Sequence, residues 1–202
     1  DYDIREVVDA HRIAKEMGLG PNGALVVSMD LIASHIDSLA KVIAGTPHSF
    51  VLIDTPGQME VFLFRDIAFK LVEGLKSISR NIVVLFIVDA DVIKRYEDYA
   101  FLSIISVAVQ ARLGVDVVPV INKVDLHSVE DLVGDVISDA ELVAEKLKGL
   151  GVYGDMLSDI LNTIAMYSKA VRVPRISAKN VVGIEELHRV VHELTCSCGD
   201  LT

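Results

Sequence analysis

The chain has 202 residues, a formal charge of −10 and 51% apolar residues. It therefore has the material for a well-filled core and lacks the basic surplus that a general nucleic-acid binder needs to neutralise phosphates. Its longest apolar run, Ile82 to Val88, is too short to cross a bilayer, and its two cysteines, Cys196 and Cys198, supply at most two metal ligands, so neither a helical span nor a structural zinc site is expected. With cysteines that fit a reducing compartment, the reading is an acidic cytoplasmic chain with no nucleic-acid or membrane partner.

In chain order, residues 3–17 have a helical apolar stripe, Ile4, Val7, Val8, Ile13 and Met17. From Ala24 to Ala44 the apolar positions Leu25, Met29, Ile32, Ile36, Leu39 and Ile43 fall at steps of four and three, which predicts one long helix with a pairing seam. Phe50–Ile53 reads as a short buried strand ending at Asp54, followed by a helical pattern over 59–77. Ile82–Val88 is a second buried strand, helix signals run to about 113, and a third strand covers 115–121. Helices over 128–148 and 154–169, a strand over 171–176 and a closing helix over 183–194 complete the pattern. Strands alternating with helices predict an α/β fold, an open, mostly parallel sheet with helices on both faces. No linker or repeat interrupts it, so 1–202 reads as a single domain.

Ligands of such sheets bind at the carboxyl ends of the strands. The residues there are Asp54-Thr55-Pro56-Gly57-Gln58, Asp89-Ala90-Asp91, Asn122-Lys123-Val124-Asp125 and Ser177-Ala178-Lys179. Their chemistry converges on a guanine nucleotide. A fixed carboxylate at Asp125 can accept both N–H groups on one edge of guanine, and Lys123 can lay its stem over the base. Asn122 can pin the two base loops together, and the N–H of Ala178 or Lys179, beside Ser177, can meet the guanine carbonyl. Asp54 can hold Mg²⁺ through water, the Gly57 N–H can approach a γ-phosphate, and Gln58 can orient an attacking water. Asn-Lys-x-Asp alone would arise by chance in about one such chain in forty, so the weight rests on the set and its strand-end placement. The plainer alternative is that Asp54 and Asp125 only cap the next helices along the chain.

One stretch, "GLGPNGA" at 18–24, has the glycine spacing of a dinucleotide turn in Gly18, Gly20 and Gly23. It comes after a helical pattern rather than a strand, and Pro21 removes an amide donor, so a turn between two helices is the better local reading. The six histidines show no ligand spacing, and Arg5 reads as a surface salt-bridge residue.

Together, "GLGPNGA", "VLIDTPGQME" at 51–60 and "INKVDL" at 121–126 resemble the GPN-loop GTPases, a branch of the P-loop NTPases, and the likeness runs from "DIRE" at 3–6 to the closing "CGDLT". The resemblance, to an archaeal-type member, implies a P-loop NTPase-like fold in which residues 1–45 include a helical insertion carrying the GPN loop, Gly20-Pro21-Asn22. It further implies Mg²⁺-dependent hydrolysis of GTP to GDP by a homodimer in which Asn22 of one chain meets the phosphates held by the other. Asp3 resembles a family aspartate in a switch-like segment near the γ-phosphate. The family assembles other machines, so a protein client and a switching role are implied as well. One departure is severe. No G-x-x-x-x-G-K-[ST] string occurs in the sequence. The expectation is an N-terminally truncated, inactive remnant of a GTPase, the alternative being a non-catalytic dimeric scaffold.

Overall fold

In the computed structural model, which describes residues 2–79, 81–126, 140–167 and 173–195, the first part of the chain is helical and the second carries the sheet. The chain divides into two compact units, Asp1–Arg80 and Asn81–Thr202.

The first unit opens with a 3-10 turn, Ile4–Glu6, and then α1, Ala10–Met17. The single helix expected over 3–17 is interrupted because Asp9 starts a new one: its carboxylate accepts from the backbone N–H of His11 and Arg12. Gly18, at φ 63°, closes α1, and Pro21 sits at the first position of α2, Pro21–Ala33, where its missing N–H costs nothing. The long helix expected over 24–44 is also two helices, α2 and α3 (Ile36–Ala44), bent by 61°. The cause lies in the pair between them. Ser34 Oγ and His35 Nδ1 both bond the Leu31 carbonyl, at 2.6 and 2.9 Å, and take the oxygen that would continue the α ladder. Helices α4, Met59–Leu63, and α5, Asp66–Lys76, complete the unit. Met29, Ile36, Ile67 and Leu71 knit α2, α3 and α5 into one apolar core, and an Arg65–Asp30 ion pair at 2.8 Å joins the start of α5 to α2.

The strand expected at Phe50–Ile53 is corrected by the structure. These residues are irregular and exposed, Leu52 by 91%. A strand exists through its ladder partners, and the described sheet is built wholly from the other unit.

That sheet pairs β1, Val83–Asp89, with β2, Asp116–Asn122, in parallel register from Val83↔Asp116 to Asp89↔Asn122. The crossover between them contains a 3-10 turn at Ala90–Val92 and α6, Tyr96–Leu113. Beyond β2, the segment around Arg175 runs parallel to it, with Ile121 N–H donating to the Pro174 carbonyl and Ile176 N–H to that of Ile121. Of the last expected strand, residues 171 and 172 lie outside the described residues, as do 128–139 of the expected helix over 128–148. The remaining helices are α7, Ala140–Leu147, α8, Gly151–Tyr167, and α9, Ile184–Thr195. The alternation of the strands sorts the core into two layers. Val118 and Val120 meet Val190 of α9 with Val83 and Leu85 beside them, whereas Ile121 faces Leu102, Leu147 and Leu157, with Phe86 and Val88 packed against that cluster. Helices thus cover both faces. Among the described residues no single helix is long and apolar enough to cross a membrane.

Candidate functional site

The base-reading candidates gather where β2 ends. Asn122 is its last residue, in register with Asp89 at the end of β1. Lys123 then turns left-handed, at φ 65°, and the Val124 N–H donates to the Ile176 carbonyl at 3.3 Å. Two side-chain contacts bind this loop to residues 177–180. Asn122 Oδ1 accepts the Ala178 N–H at 3.1 Å, and the fully buried Ser177 hydroxyl donates to Asp125 Oδ1 at 2.5 Å. That hydroxyl holds the Asp125 carboxyl below the usual carboxylate range, with smaller help from its own N–H and Lys179. Asn122 thus engages the Ala178 N–H, which leaves the Lys179 N–H as the other backbone candidate in this loop.

Asp89 is a residue that motif reading left without a role. Its carboxylate receives Lys123 Nζ at 2.7 Å and raises the Lys123 ammonium above its ordinary value. The signal was available: two parallel strands of equal length end side by side, so the residue closing one lies beside the residue just after the other.

The phosphate-side candidates lie in residues 1–80. Asn22 is the second residue of α2, and Gln58 directly precedes α4. Gln58 Nε2 lies 3.4 Å from Asn22 Oδ1 of the same chain, a contact across 36 positions of sequence. Gly20 precedes Pro21 as the residue opening α2. Asp54 and Gly57 are exposed, and a Cβ on Gly57 would meet no protein atom within 4 Å. Asp3 caps the 3-10 turn and accepts from Arg5 N, Nε and Nη2 at 2.9, 2.9 and 2.6 Å. Arg5 lowers the Asp3 carboxyl to about 2. Among the described residues no cluster of three or more histidine, cysteine or acidic side chains could hold a metal.

Comparison with known proteins decides the family. A family model described as a conserved hypothetical ATP binding protein matches residues 1–197. A GPN-loop GTPase of Pyrococcus abyssi is 36% identical over 205 residues, spanning 99% of this chain and 81% of the relative. The chain belongs to the GPN-loop GTPase family. GPN-loop GTPase 2 of Schizosaccharomyces pombe is 32% identical over 125 residues, 61% of this chain and 40% of that protein. The apo crystal structure of a GTPase from Pyrococcus abyssi superposes with a TM-score of 0.80 at 32% identity, over 97% of this chain and 79% of its own. The fold is therefore the α/β fold of P-loop GTPases. In this GPN-loop chain the naming triplet, Gly20-Pro21-Asn22, forms the N-cap and the first two positions of a 13-residue helix rather than a free loop.

Proposed function

We propose that this chain carries the base-reading and GPN residues of a Mg²⁺-dependent GTP hydrolase. The observation that carries the reading is the Asp125 carboxylate, held by a buried serine hydroxyl at the end of a parallel strand. A carboxylate so held accepts the two N–H groups of guanine; adenine offers an acceptor at one of those places and no amine at the other, so the site favours GTP despite the ATP in the family model's description. Lys123, its head on Asp89, lays its stem along the base, and the Lys179 N–H meets the base carbonyl. Asp54 is a single exposed carboxylate, which suits Mg²⁺, an ion that keeps several waters and takes few protein ligands. Held there, Mg²⁺ would supply positive charge against the phosphates. Gln58 orients the attacking water, the Gly57 N–H approaches the γ-phosphate, and Asp3 lies in the switch segment. GDP is the product.

The protein acts as a cytoplasmic homodimer, with Asn22 completing its partner's site, and serves as a switch in the assembly of a larger complex around a protein client. The intrachain Gln58–Asn22 contact favours a second arrangement, in which Asn22 orients Gln58 of its own chain.

Calorimetric titration tests the base reading. Asp125→Asn is expected to lose affinity for GTP by about tenfold or more and to gain it for xanthosine triphosphate, whose base carries a carbonyl where guanine has its amine. A variant that binds GTP as tightly as the wild type overturns the assignment.

A further inference from the structure

Among the described residues only two that are not glycine have a positive φ, Lys123 at 65° and Val181 at 55°. They lie in the two loops that Asp125 and Ser177 join. For a β-branched residue this conformation is a true outlier. Nor does burial compensate it, since Val181 is 73% exposed.

The hydrogen bonds on either side explain what the outlier does. Ser177 and Val182 exchange both backbone bonds, Ser177 N–H to the Val182 carbonyl at 3.0 Å and Val182 N–H to the Ser177 carbonyl at 3.1 Å. The chain must reverse within the four residues between them, and the left-handed step at Val181 completes the reversal. Gly183 then passes under the Arg175 carbonyl, at φ 74°, where a Cβ would strike that oxygen. Inside the turn the Asn180 N–H donates to Ser177 Oγ at 3.1 Å. That contact fixes the direction of the serine proton: an N–H can only donate, so Oγ accepts from Asn180, and its one proton is directed to Asp125, which can only accept. Without the Asn180 contact the hydroxyl could rotate.

We propose that the turn Asn180–Gly183 is a positioning element for the Asp125 carboxylate, and that the left-handed backbone of Val181 sets the Ser177 hydroxyl that aims it. This rests on the reading of Asp125 as the base acceptor. It adds a specificity-determining residue that touches no ligand.

The test uses the isotope-labelled full chain. Three readouts are recorded: the titration midpoint of the Asp125 carboxyl by NMR, the exchange rate of the Asn180 amide, and the ratio of affinities for GDP and inosine diphosphate. Lys179 and the Lys123–Asp89 pair, the charges near Asp125, are unaltered in every variant. Val181→Pro forbids a positive φ. It should speed Asn180 exchange by about tenfold or more, return the Asp125 midpoint to the ordinary carboxylate range and reduce the base ratio by about tenfold. Val181→Gly, which adopts positive φ freely, should leave the midpoint and the ratio as they are.

A proline variant that changes neither exchange nor midpoint overturns the proposal, as does a glycine variant that behaves like the proline one. Should the proline chain fail to fold, the wild-type Asn180 amide decides: exchange at the rate of an unstructured peptide overturns the turn's role, and protection of about tenfold or more supports it. Equal wild-type affinity for the two diphosphates overturns the base-acceptor reading instead, while exchange and midpoint still judge the turn.

Discussion

Asp3 shows how much a single exposed group can be altered by a neighbour two residues away. The Arg5 guanidinium meets its carboxylate through two nitrogens, and the Arg5 backbone N–H adds a third bond, so its midpoint falls from the usual 3.8 to about 2. A carboxyl whose folded value is depressed contributes its stabilisation above the unfolded value and loses it as the pH falls through the folded one. For Asp3 that window runs from about pH 4 down to about 2. Carboxyl NMR titration should therefore give a midpoint near 2, and Arg5→Ala should return it towards 3.8. A midpoint that ignores the substitution would remove Arg5 as the cause. Arg5 is at the same time occupied as an ion-pair partner, so a charge-stabilising role for it would require this pair to open.

At the scale of elements, the close approach of α7 and α8 depends on a position with no side chain. A Cβ at Gly154 would land on the backbone carbonyl oxygen of Leu147, the last residue of α7. Helix propensity alone would favour alanine by about 1 kcal/mol. A backbone oxygen cannot rotate away, however, so the two helices must separate, and overpacking of this kind costs about 1–3 kcal/mol. Gly154→Ala should lower the urea midpoint of unfolding; a raised midpoint would mean that propensity prevails. Much at this scale was legible in the sequence. The apolar runs at 82–88 and 115–121 became β1 and β2 with a shift of one residue, because doubly buried strands leave an unbroken apolar signature. The strand-end motifs Asn122–Asp125 and Ser177–Lys179 do come together, since parallel neighbours place their carboxyl ends side by side. Two kinds of feature were hidden. The helix breaks at Asp9 and Ser34–His35 arise from polar side chains bonding the backbone, which apolar periodicity does not register. The contacts Lys123–Asp89 and Gln58–Asn22 join residues 34 and 36 positions apart, and only strand register or helix packing decides them.

At the scale of the whole molecule, the proposed function gives Asn22 two arrangements, across a homodimer or beside Gln58 of its own chain. In a hydrolytically competent form of the protein, Asn22→Ala is expected to slow GTP hydrolysis by about a hundredfold to a thousandfold, the usual cost of one oriented polar group at a developing charge. Mixing subunits separates the two arrangements. If Asn22 acts across a homodimer, an Asn22→Ala chain combined with a Gln58→Ala chain regains one complete site, and hydrolysis returns in the mixture. If it serves Gln58 of its own chain, as the 3.4 Å contact favours, no site is complete and no activity returns despite subunit exchange. The exposed segment Phe50–Ile53 has a further consequence, for behaviour in solution. At pH 7 a charge of −10 opposes non-specific association between copies of the chain. Near the isoelectric point, about 5.0, that repulsion disappears, and an exposed apolar run in which Leu52 is the most exposed residue is free to adhere to its like. Light scattering should show association rising steeply as the pH approaches 5.0 and receding in Leu52→Lys, compared at an equal distance from each protein's own isoelectric point. Equal scattering from the two chains would locate the adhesive surface elsewhere.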